Sequence, residues 1–178
     1  MILWLHGAFG AGKSSVAAEL RARRPDLVPF DPEQVGCLLQ GVLPVPTGDF
    51  QDLPEWRELV AATGAALEAG GTRDLLTPMT LLREEHAREV FAGLAERDVL
   101  VVQVLLDVAA DELARRIAGD SSAEHGDAVE QVRAWRREHL GAWVAARSWL
   151  LPSVDRVVDT TALTAAEAAD EVLALLPG

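Results

Sequence analysis

Residues 7–14 read Gly-Ala-Phe-Gly-Ala-Gly-Lys-Ser, a complete G-x-x-x-x-G-K-[ST] pattern. It follows a short apolar run, Ile2 to His6, and opens a stretch of helical spacing that begins at Lys13. A strand that turns through glycines into a helix constrains the fold more than any other feature of the chain. The glycines let the backbone bend tightly enough for successive N–H groups to point into one hollow, and the helix N-terminus adds positive potential there. Such a hollow suits phosphate oxygens, so Gly7, Ala8, Phe9, Gly10, Ala11, Gly12, Lys13, Ser14 and the adjoining Ser15 are expected to hold the phosphate tail of a nucleoside triphosphate. Lys13 would reach the terminal phosphates, and the Ser14 hydroxyl would ligate the Mg²⁺ that bridges them. Lys13 is also the only lysine in the sequence, every other cationic side chain being arginine. That usage points to a need for a compact, mobile ammonium at this one place rather than a planar fork.

Five short apolar segments read as buried strands: Ile2 to His6, Leu27 to Phe30, Leu75 to Met79, Val99 to Leu106 and Arg156 to Val158. Their apolarity is continuous rather than alternating, which is the pattern of parallel strands covered on both faces. Helical spacing runs over Lys13 to Arg23, Trp56 to Glu68, Glu84 to Glu96, Ala110 to Ala118, Ala128 to Trp149 and Ala165 to Leu176. The alternation predicts an α/β fold: a single-domain P-loop NTPase of nucleotide-kinase type over residues 1–178, a five-stranded parallel sheet flanked by helices, with a lid. Two stretches break the rhythm. Residues 36–54 are rich in Gly, Pro and Leu and longer than an ordinary connection, so they are expected to form a substrate loop. The polar segment from Gly119 to Gly126, with arginines on both sides, is expected to form an arginine-bearing lid over about 116–137.

The formal net charge of -12 argues against nucleic-acid or anionic-membrane partners, because both require a basic surface. A single cysteine, Cys37, excludes an internal disulfide framework, and the histidines are too scattered for a zinc cluster. No apolar run approaches the roughly 20 residues of a membrane span, and Met1 to Leu5 is too short for a signal-peptide core. The expectation is a cytoplasmic protein, monomeric or homodimeric, acting on a small molecule.

A triphosphate site alone leaves switches, motors and kinases open. An N-K-x-D base-reading motif cannot occur in a chain whose one lysine is already used, and the third strand runs out through Leu76-Thr77-Pro78-Met79-Thr80 without the acidic residue of a motor ATPase. A kinase remains. Asp31 directly follows the second strand, at the carboxyl edge where open α/β sheets bind ligands, and could accept a proton from a substrate hydroxyl or hold Mg²⁺ through water. An aspartate before Pro32 is also the residue type that caps a helix or turn. Arg116, Arg133 and Arg137 are the candidates for stabilising the charge on a migrating phosphoryl group, with solvated ion pairs as the alternative role. Phe50 and Trp56 are candidates for stacking on a substrate ring, against the alternative of core packing, and Arg83 for meeting an anionic group.

The stretches I-L-W-L-H-G-A-F-G-A-G-K-S, F-D-P-E-Q-V-G and T-P-M-T-L-L-R-E together resemble the tunicamycin-resistance ATP-binding proteins, relatives of chloramphenicol phosphotransferase and of the shikimate and nucleotide kinases. E-Q-V-R-A and the closing D-T-T-x-x-T-A-x-E-A-A-D-E-V are shared more loosely. The resemblance implies a sheet in kinase-like order, ATP in the P-loop, Thr160 close to the adenine, and a crevice near Asp31 that receives a small molecule. It further implies antibiotic resistance, either by phosphorylating a nucleoside-type drug such as tunicamycin or by binding it without chemistry. A nucleotide-hydrolysing regulator is the third possibility the residues leave open.

Overall fold

The computed structural model describes residues 1–71, 74–119 and 140–176. Strand β1 (Ile2–Gly7) is buried along its whole length, as its unbroken apolar sequence demands, and runs straight into the glycine turn and helix α1 (Lys13–Arg23). After β2 (Val28–Pro29) come α2 (Glu33–Gln40), a single 3₁₀ turn at Phe50–Asp52 and α3 (Pro54–Gly70). Then follow β3 (Leu75–Thr77), α4 (Glu84–Ala95), β4 (Val101–Asp107), α5 (Ala110–Gly119), α6 (Leu140–Ser153), β5 (Arg156–Asp159) and α7 (Ala165–Ala174). The sheet has five strands in the order β2-β3-β1-β4-β5, each neighbouring pair parallel, as the sequence pattern predicts. All the carboxyl ends therefore lie at one edge, and the loops that leave this edge build the site.

Alternate residues of β1 feed two cores. Ile2 and Trp4 face Phe30, Trp56, Val60, Val90 and Leu94, while Leu3 and Leu5 face Leu20, Val104, Val158 and Val172. A third cluster joins Ala8 and Ala11 of the glycine turn to Leu105, Leu113, Ile117, Trp143 and Leu150, so the turn itself rests on α5 and α6. Each fully buried large side chain contributes roughly 1.5–3 kcal/mol, which makes the turn's underside part of the core rather than an appended loop.

The main departure from the sequence reading is α2. Residues 36–40 belong to this helix and not to a substrate loop, so the irregular stretch begins only at Gly41. Glycine and proline misdirect the reading here. Pro32 stands at the helix start, where its fixed φ is favourable, and Val35, Gly36 and Leu39 form the buried face. Gly36 is required by packing: a Cβ there would lie 2.6 Å from the Phe50 ring. Smaller differences are that α3 starts at Pro54 rather than Trp56 and that β3 stops at Thr77. The expected helix from Ala128 is described only from Leu140, and most of the expected lid lies outside the described residues.

Candidate phosphate-loop site

The glycine turn is held in shape from two directions. From one side, Thr80, just beyond β3, places its hydroxyl between the Gly7 carbonyl, to which it donates, and the Gly7 N–H, from which it accepts at 3.1 Å. From the other, Ile117 of α5 closes on Gly10, where a Cβ would approach within 2.9 Å. Gly10 and Gly12 have φ of 92° and 96°, the left-handed region that side-chain-bearing residues rarely adopt, so the turn needs glycine at both. Gly12 leads directly into α1, whose first N–H groups face the hollow.

Lys13 Nζ donates to the carbonyls of Gly7 at 2.8 Å and Ala8 at 3.1 Å, and lies 5.4 Å from the centre of the Phe9 ring. The ammonium is thus already folded over the hollow. Ser14 and Ser15 are exposed at the start of α1. Among the described residues no group of three or more carboxylates, histidines and cysteines is placed to hold a metal ion. The exposed Ser14 hydroxyl is a donor of the kind that Mg²⁺ takes beside phosphate oxygens.

Beside the turn, on the β4–β5 side, lies a cavity of about 480 Å³ lined by Gly12, Ser15, Arg116, Thr160 and Leu163 among others. Its far wall is the loop after β5. Thr160 fixes that loop by donating from both N–H (2.8 Å) and Oγ1 (2.9 Å) to the Asp107 carbonyl, and Thr161 Oγ1 accepts from the Ala109 N–H at 3.0 Å. Thr160 and the phosphate loop, linked at the sequence level only by resemblance, thus line one cavity.

Asp31 lies on the opposite, β2 side of β1, exposed, at the carboxyl end of its strand. Its Oδ1 accepts from the Glu33 N–H at 2.9 Å, so the carboxylate closes a turn at the start of α2, one residue before the cap position Pro32, in line with its alternative role. Glu33 was not singled out by sequence reasoning although it belongs to the D-P-E run. Its carboxyl is raised, first by desolvation and then by the charge of Asp31, while Lys13 pulls it back. Asp31, Glu33 and Lys13 consequently share one electrostatic environment.

The remaining candidates divide. Trp56 is fully buried, with Nε1 donating to the Pro32 carbonyl at 3.1 Å, so the stacking role expected for it is corrected to core packing: the ring offers no face to a ligand. Phe50 is half-buried 5.4 Å from Trp56 and packs beneath α2. Arg83 is exposed at the start of α4, with Nη1 3.1 Å from Asp52 Oδ1. Arg116 reaches the site from α5 and spans Ala11 and Thr160 by hydrogen bonds to their carbonyls. Arg133 and Arg137 lie outside the described residues. Thr80 and Glu112, which organise the turn and Arg116, were also passed over. For Glu112 a signal existed, since it stands four residues before Arg116 on a helix.

Directly beneath the turn, His6 is completely buried, with Nε2 3.1 Å from Gln103 Oε1 and Nδ1 without a partner among the described residues. Because the Gln103 oxygen can only accept, the ring proton sits on Nε2. Burial pushes the imidazole down from 6.5 to about 4, with the Lys13 charge acting in the same direction. A folded-state value below the unfolded one means that the neutral ring contributes its full stability above pH ~6.5 and loses it as pH falls toward 4. The loss expected across that window is about 3 kcal/mol. Urea unfolding between pH 7 and 4 checks this: wild type should lose stability over that range, and His6→Gln should show a flatter profile. An identical slope in both would remove His6 as the source.

No protein-family model matches the chain, and no curated protein matches it at a significant level. Solved structures do. The tunicamycin resistance protein of Deinococcus radiodurans superposes with a TM-score of 0.73 at 24% identity, covering 97% of this chain and 93% of that one. A sugar kinase from Janibacter gives 0.61 at 16%, covering 97% and 92%. The APS kinase of Mycobacterium tuberculosis, solved with AMPPNP and APS, gives 0.60 at 17%, covering 98% and 95%. At these identities the likeness establishes architecture alone, a single α/β domain with a five-stranded parallel sheet flanked by helices that this chain shares with those structures.

Proposed function

We propose that this chain transfers the γ-phosphoryl group of ATP, with Mg²⁺, to a hydroxyl of a small molecule, a nucleoside-type antibiotic such as tunicamycin being the first acceptor to test. One observation carries the reading. The phosphate loop stands between two different features, the open cleft toward β5 and the carboxylate of Asp31 toward β2. A nucleotide with its base in the cavity would carry its phosphates along the loop past Lys13, toward the side of β1 on which Asp31 stands. The tunicamycin resistance protein among the structural neighbours supports the choice of acceptor.

In this mechanism the turn's amides and Lys13 bind the β- and γ-phosphates. Mg²⁺, held by Ser14 and the phosphates, would neutralise charge that builds on them. Asp31 orients the acceptor hydroxyl and accepts its proton. The cytoplasm is the compartment that supplies ATP, and among the described residues no helix is long and apolar enough to cross a membrane.

A second reading, ATP-dependent sequestration of the drug without chemistry, draws on the cap: Asp31 already spends one oxygen on α2. Incubating the protein with ATP, Mg²⁺ and a panel of nucleoside antibiotics separates the two. A phosphate adduct on the acceptor by mass spectrometry, with ADP formed in equal amount, is the expected outcome; tight drug binding with no adduct would establish sequestration instead.

A further inference from the structure

Arg116 makes four hydrogen bonds at the site. Its Nε donates to Glu112 Oε1 at 2.7 Å, Nη1 to the Ala11 carbonyl at 3.2 Å, and Nη2 to the carbonyls of Thr160 at 2.6 Å and Thr161 at 3.4 Å. One planar group thereby ties three separate segments together: α5, the phosphate loop and the loop after β5. The back of that last loop is secured to the end of β4 by Thr160 and Thr161, whereas its edge over the cavity is secured by Arg116. Of the five N–H groups of a guanidinium, these contacts leave one. A side chain so committed is poorly placed to follow charge onto a transferring phosphoryl group, the role the sequence suggested for it.

What keeps the fork in this plane is Glu112. It is only 15% exposed, and its two oxygens take Arg116 Nε together with Arg115 Nε and Nη2, each at 2.7 Å. The two guanidiniums, Arg115 foremost, hold its carboxyl down to about 2, so it stays ionised throughout the physiological range. Arg115 is 75% exposed and contributes little by itself, which leaves Glu112–Arg116 as the structurally consequential half of the cluster.

We propose that Glu112 is a positioning residue for the nucleotide's base: by orienting Arg116 it holds the loop at Thr160 and Thr161 in place beside the phosphate loop and so keeps the cavity between them shaped to receive the base. This rests on the triphosphate reading of the loop at Gly7 to Ser14. It predicts that Glu112 acts on the base and not on the phosphates, a separation that neither a catalytic nor a merely structural role would produce.

The test compares two ligands that share a phosphate tail, magnesium ATP and magnesium tripolyphosphate, by calorimetry on wild type, Glu112→Gln and Arg116→Lys. Glu112→Gln should bind ATP about tenfold more weakly with tripolyphosphate affinity unchanged, and with KM for ATP raised while kcat stays near wild type. Arg116→Lys, which cannot bridge three carbonyls, should lose at least as much for ATP and again nothing for tripolyphosphate. An equal loss for both ligands, wild-type affinity for ATP in both variants, or a fall in kcat at unchanged KM would each overturn the proposal. If wild type bound tripolyphosphate but gained nothing from the base, the cavity assignment would fail while the phosphate loop stood; if it bound neither, the triphosphate reading itself would fall.

Discussion

Lys13→Ala is expected to weaken ATP binding by about a hundredfold or more and to leave the fold intact. The ammonium would exchange two carbonyl acceptors, Gly7 and Ala8, for phosphate oxygens that carry full charge. Charge-assisted hydrogen bonds contribute roughly 1.5–3 kcal/mol each, so losing two amounts to about two to four orders of magnitude in affinity. The turn should survive because Lys13 is not what shapes it: the Gly7 carbonyl keeps its bond from Thr80, and Ala8 and Ala11 remain buried against α5. Lys13→Arg should not rescue. A planar fork cannot place a point charge between two carbonyls 2.8 and 3.1 Å away and then swing to phosphate. Calorimetric titration with magnesium ATP, beside a thermal melt of each variant, checks both halves of the expectation. Affinity within threefold of wild type would remove the ammonium from the site.

The parts of this protein that could be read from sequence are those in which local chemistry and tertiary structure agree. Ile2 to Gly7 has no polar face, which only a central parallel strand tolerates, and the turn at Gly7 to Gly12 needs left-handed backbone that only glycine supplies cheaply. Helix α2 could not be read because its signals conflict: Gly36 lowers helix propensity, yet tertiary packing demands it, since any side chain there would strike Phe50. Trp56 stood between stacking and core packing for a related reason. An aromatic after a proline-rich stretch has no sequence mark that distinguishes a ring turned inward from one turned to a ligand, and burial decided it. The role of Arg116 depended on three carbonyls contributed by residues 11, 160 and 161, partners that carry no side-chain signature at all. Asp31 was legible as a residue of the site's edge, with a turn-closing role beside the proposed catalytic one.

That double role makes Asp31→Asn a clean substitution. Asparagine caps a helix about as well as aspartate, so the bond from the Glu33 N–H to the side-chain oxygen, now 2.9 Å, should persist and α2 should stay in place. What disappears is the negative charge and the ability to take a proton. If Asp31 accepts the proton of the acceptor hydroxyl, kcat should fall by about 10²–10⁴ with ATP affinity unchanged. Asp31→Ala gives the complementary result, since it removes the cap as well and should cost about 1 kcal/mol of stability beyond the catalytic loss. A protein in which Asp31 serves only the helix would behave in reverse: Asp31→Asn would turn over normally and Asp31→Ala would merely melt earlier. Glu33 supplies an internal check. With its neighbour neutral, the repulsion that helps raise its carboxyl is gone, and the pH dependence of the residual activity should shift to lower pH. A profile that does not move would mean that the two carboxylates do not face the same reacting group, and Asp31 would then have to be returned to the helix alone.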